Sequence, residues 1–93
     1  MIMILTVSPH GMWGLKVKPE KKETIYEDTT YTIIYDEVFL NTTKNPNKCN
    51  EFINSDINNW IISNNFHIYK KYNPTKFSAT LNSNSIIKIT GRI

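Results

Sequence analysis

Only one stretch of this chain carries a helical period, and it has too little intrinsic helicity to stand alone. Between residues 46 and 64 the apolar positions Cys49, Phe52, Ile53, Ile57, Trp60 and Ile61 recur three and four apart. Lys48, Glu51, Ser55, Asn58, Asn59 and Ser63 take the other side. Asn45 is placed to cap the first turn, with Pro46 at the first helical position, where its missing N–H costs nothing. Asn64 and Asn65 supply a left-handed stop. Asn, Ser and Ile are weak helix formers. A helix over 46–64 therefore needs its Phe52, Ile57 and Trp60 stripe docked on a partner layer. Everything around it reads as strand. The expected fold is a small single α+β domain with a mainly antiparallel sheet.

The strand signals divide around that helix. Residues 1–7 are apolar at nearly every position, which suits a strand over 2–7 covered on both faces or lying at an interface. Ser8-Pro9-His10-Gly11 places Pro and Gly where a tight turn uses them. Residues 12–18 alternate, with Trp13, Leu15 and Val17 opposite Met12, Gly14, Lys16 and Lys18, so 2–7 and 12–18 are expected to form an N-terminal hairpin. Gly14 marks a twist or a close backbone contact. Residues 19–23 read as a charged loop, and Thr24–Tyr26 as a short strand turned at Glu27–Thr29. The densest run of β-branched and aromatic residues predicts one strand over 31–40, with Tyr31, Ile33, Tyr35 and Phe39 on one face and Ile34, Val38 and Leu40 on the other. Beyond the helix, 66–72, 77–81 and 86–90 are expected as a three-stranded meander, turned at 73–76 and 82–84. This order fits a continuous sheet or one split across the helix.

Charge and composition narrow the class. Residues 1–40 hold four lysines against six acids, whereas residues 41–93 hold six lysines and Arg92 against Glu51 and Asp56. The basic second half points to an acidic partner. All twelve asparagines fall between Asn41 and Asn84, and with fourteen Ile and ten Lys they indicate an A/T-rich genome rather than a prion-like tract. The one cysteine, Cys49, excludes an intramolecular disulfide and any Cys cluster, and fits a reducing, cytoplasmic setting. The apolar start lacks the basic region and cleavage pattern of a signal peptide. No stretch approaches the ~18 apolar residues of a membrane span, so no membrane partner is expected.

The most suggestive chemistry is the run Tyr69, Lys70, Lys71, Tyr72, Asn73, Pro74, Thr75, Lys76 and Phe77. Lysines interleaved with aromatics neutralise phosphates and stack on bases. Lys88 and Arg92 on the following strand extend the patch. The competing reading puts the aromatics in the core and leaves the lysines as solvated edge guards. Met12, Trp13, Tyr31 and Tyr35 belong to a first-half surplus of Met, Trp and Tyr, together with Met1, Met3 and Tyr26, and these are residue types that anchor protein interfaces. His10, in its turn, and His67, beside Tyr69 and Lys71, are the residue types of a small metal-independent ribonuclease, but nothing in their spacing brings them together. There is no paired-His motif for a metal, Cys49 reads as core, and Gly11 and Gly14 do not make a phosphate loop. No catalytic residue, metal site or cofactor is expected.

In size, A/T-rich composition and lack of a catalytic signature, the chain resembles the small accessory proteins of phages and mobile elements, anti-CRISPR and other anti-defence inhibitors among them. The resemblance implies a non-enzymatic protein that docks on a larger protein or nucleoprotein partner. The alternatives are a small RNA- or DNA-binding module using Tyr69–Phe77, and the toxin-like ribonuclease.

Overall fold

The computed structural model describes residues 2–19, 30–42 and 51–93. Their elements are β1 (Ile2–His10), β2 (Met12–Pro19), β3 (Tyr31–Tyr35), β4 (Val38–Thr42), β5 (Glu51–Phe52), α1 (Ser55–Ser63), β6 (Lys76–Leu81) and β7 (Ile86–Arg92). The seven strands make one continuous sheet in the order β4-β3-β7-β6-β1-β2-β5. Every neighbouring pair is antiparallel except β3 with β7. The fold is thus a small α+β domain with a mostly antiparallel sheet and, among the described residues, one helix.

The sheet curls strongly. Tyr31, near one end, meets Phe52, at the other, with ring centroids 5.7 Å apart. The helix fills the concavity, burying Ile57, Trp60 and Ile61. The period-2 alternation of the strands places Met3, Leu5 and Val7, Leu15 and Val17, Ile33, Phe77 and Ala79, and Ile87 and Ile89 in the same core. Trp60 is its aromatic centre, 5.3 Å from Tyr35, 5.2 Å from Phe66 and 5.7 Å from Phe77.

Four boundaries differ from the sequence expectation, each for a local reason. The helix begins at Ser55, not Pro46. Asn54 is its N-cap, with Oδ1 accepting from the Ile57 N–H at 2.8 Å, and Glu51–Phe52 pair as a strand with Lys16 and Leu15. Asn54-Ser55-Asp56 is as good a start signal as Asn45-Pro46, with the acid in the first turn. The expected strand 31–40 is a hairpin instead, reversed at Asp36, whose φ is 51°. The turn flips the parity, so Leu40 joins Ile33 inside while Phe39 pairs with Ile34 on the outer face. Residues 66–72 are not a strand. Asn65 takes φ 59° and the Phe66 N–H returns to the Ile61 carbonyl, turning the chain out of the helix so that Phe66 plugs the core. The expected meander is therefore the β6–β7 hairpin alone. Finally, β1 runs on through Pro9 to His10, and the chain reverses about Gly11 at φ 78°. Pro9 is tolerated because it lies past the end of β6, where, among the described residues, β1 pairs with β2 alone. The expected strand at Thr24–Tyr26, the cap at Asn45, and Cys49 lie outside the described residues.

Gly14 is the expected close backbone contact. A Cβ there would stand 2.8 Å from the Phe52 carbonyl oxygen and 2.7 Å from Ile53 Cγ1. Gly14→Ala should therefore destabilise by about 1–3 kcal/mol, the usual cost of overpacking, by pushing β5 off β2. Urea unfolding would measure it, and an unchanged midpoint would show that the contact yields freely.

Candidate protein-docking surface

The hairpin tip and the irregular segment 64–75 share one end of the molecule. Two ties hold them. The Trp13 N–H donates to Asn58 Oδ1 on the helix at 2.9 Å, and the Val7 N–H donates to the Thr75 carbonyl at 2.9 Å. Trp13 then packs its ring on His67 (5.7 Å) and edge-on to Tyr69 (6.0 Å). Trp13, expected at a protein interface, and Tyr69, expected in a basic-aromatic patch, thus belong to one surface.

Close to these residues along the chain, large side chains stand in solvent. Met12 is 42 % exposed, Ile68 66 % and Tyr72 90 %, with Lys70 and Lys71 exposed between them. The Lys71 ammonium lies 5.1 Å from the Tyr72 ring centroid. Tyr72 holds φ 68°, a conformation that costs a bulky L-residue energy, inside a turn in which the Asn73 N–H donates to the Lys70 carbonyl at 2.9 Å. Arg92 closes the base of the loop. Its guanidinium sits 5.7 Å from the Phe66 ring and donates to the buried Thr75 Oγ1 at 3.4 Å.

The other expected site residues are placed elsewhere. Tyr31 is 2 % exposed, packed edge-on against Phe52, and so presents nothing to a partner. Its place on the inner face of a strand that faces the helix overrides its residue type. Tyr35 is half-buried and contributes to the Trp60, Phe66 and Phe77 cluster. Lys76 and Lys88 lie on the outer face of the sheet, away from the helix. Ile68, which alternation with Phe66 along an expected strand would bury, stands in solvent because 66–72 is not a strand. The side chain of His10 lies outside the described residues. His67 has a buried Nδ1 with no hydrogen-bond partner among the described residues, and its ring is engaged with Trp13. Among the described residues no three of His, Cys, Asp and Glu come together as a metal-ligand group. No described helix is long and apolar enough to cross a membrane. No protein-family model, curated protein or solved structure matches this chain.

Proposed function

We propose that this chain is a non-enzymatic, intracellular docking protein that grips a larger protein or nucleoprotein partner through the hairpin tip and the 64–75 loop. The observation that carries the reading is the packing of Trp13 on His67 and Tyr69, which fixes the 64–75 loop against the hairpin tip, with exposed Met12, Ile68 and Tyr72 close by along the chain. Exposed aromatic and Met side chains on a fixed base are what interface hot spots use, because little entropy remains to be lost on binding. Lys70 and Lys71 at the rim suit a partner whose apolar recess is bordered by carboxylates, and they speed encounter more than they tighten the complex. The A/T-rich composition supports a phage or mobile-element setting, in which such a protein blocks a host machine.

A photo-crosslinking amino acid at Ile68 tests the reading, with the same group at Ser83 as control. Ser83 lies in the β6–β7 turn, at the opposite end of those strands from Lys76 and Arg92. A discrete adduct is expected from position 68 and none from 83. The captured protein, purified, should lose at least tenfold affinity for a Met12→Lys/Ile68→Lys variant of unchanged melting temperature. Equal adducts at both positions, or an affinity that ignores the double variant, would overturn the docking surface.

A further inference from the structure

The convex face of the sheet carries a second pattern, independent of the loop. The strand register fixes its rows. Phe39, Ile34, Lys88, Thr80 and Ile2 run side by side across β4, β3, β7, β6 and β1. Further along the strands, Lys76, Thr6, Lys16 and Glu51 run across β6, β1, β2 and β5. Phe39 is 65 % exposed, and Lys16, Lys76 and Lys88 are all exposed. The one carboxylate in these rows, Glu51, is buried and accepts from the Ser8 hydroxyl at 3.4 Å. Between the lysines stand hydroxyls. Ser78 and Thr90 bond each other at 2.9 Å, and Thr80 is exposed. Lysine is therefore the exposed charge across these rows, with a single ring standing in solvent beside them. Asp36 and Glu37 lie beyond the rows, in the β3–β4 turn.

We propose that this convex face binds single-stranded nucleic acid, with Lys16, Lys76 and Lys88 on phosphates and Phe39 stacked on a base. Charge selects a polyanion. The exposed ring selects one whose bases are unpaired, because an aromatic on an open sheet stacks on a splayed base and finds nothing to stack on in a duplex. Strands lie ~4.8 Å apart, so the six strands from Phe39 on β4 to Lys16 on β2 span on the order of 25 Å. That suits the short end of the roughly 4–16 nucleotide sites of single-strand binders. Lys76 was expected to act with Tyr69 and Tyr72. The register gives it instead to the sheet, opposite Thr6.

Fluorescence anisotropy with labelled oligo-dT, oligo-rU and a duplex of equal length tests the proposal on the whole chain. Micromolar binding of the single strands in low salt is expected, with a log–log salt slope near −2, since each phosphate contact contributes about −0.7 on single strands. The dT and rU probes separate DNA from RNA, and binding of either supports the site. Lys16→Glu/Lys76→Glu/Lys88→Glu should abolish binding with the melting temperature kept, whereas Lys70→Glu/Lys71→Glu should leave most of it. Phe39→Ala should weaken binding about tenfold without changing the salt slope, which a purely structural role would not produce. Asp36→Asn/Glu37→Gln should tighten it. Tighter duplex binding, loss through the loop lysines in place of the sheet lysines, equal competition by polyglutamate, or no binding at 50 mM salt would each overturn the proposal. Loss through the loop lysines would move nucleic-acid binding to the docking surface itself, whereas the other outcomes leave docking through the hairpin tip untouched.

Discussion

Trp60→Ala is expected to cost about 3–5 kcal/mol of stability, the usual range for deleting a buried large aromatic. Trp60 is 6 % exposed and touches Tyr35, Phe66 and Phe77, so its removal opens a void that three other rings border. Rigid rings on strands and at the helix exit cannot collapse into that space, which places the loss in the upper part of the range. A domain of this size holds roughly 5–15 kcal/mol in total, so much of the population could unfold at body temperature. The indole Nε1 is buried with no hydrogen-bond partner among the described residues. Trp60→Phe therefore gives up part of the volume but no bond, and should cost clearly less than Trp60→Ala. Urea midpoints for the two variants decide the matter. Equal losses would mean that the indole nitrogen matters, and no loss from Trp60→Ala would mean that the helix docks elsewhere.

The same tryptophan shows what the sequence could and could not reveal. Ile57, Trp60 and Ile61 fall three and four apart, and that spacing is enough to identify the helix and its buried face. Its start was misplaced because Phe52 and Ile53 continue the helical period by coincidence, while Asn54 caps only the later turn. Periodicity integrates over many residues, but capping is a single local contest. The hairpin at 31–42 was hidden for a similar reason. Asp36-Glu37 is a weak turn signal beside Asn-Gly or Asp-Gly, so alternation was read straight through a reversal and Phe39 and Leu40 exchanged faces. Trp13 and Tyr69 were each legible as candidates. Their meeting was not, because it depends on where a 12-residue irregular connection lies against the hairpin, bringing Tyr69 to a residue 56 positions earlier, and no local pattern encodes that. Residue type alone put Tyr31 at a surface. Only the curl of the sheet, which brings Phe52 to it, puts it in the core.

Tyr72 supplies the sharpest separation of function from fold. Held at φ 68° and 90 % exposed, it carries backbone strain with almost no burial in return. Glycine adopts that conformation freely. Tyr72→Gly should therefore leave stability unchanged or raise it by up to about 1 kcal/mol, the gain from relieved φ being partly offset by a more flexible unfolded chain. If the ring is the anchor of the docking surface, the same variant should lose partner affinity by about 30-fold or more, the scale of a hot-spot truncation. Tyr72→Phe keeps the ring, and with it the contact to the Lys71 ammonium, so it should retain most of the binding. Calorimetric titration of the free, purified form of the protein that crosslinking captures, set beside urea unfolding of each variant, reads both quantities. A residue kept for the fold would show the reverse pattern, with stability falling and affinity following it. Full affinity in a stabilised Tyr72→Gly chain would remove Tyr72 from the interface and leave Met12 and Ile68 to carry it.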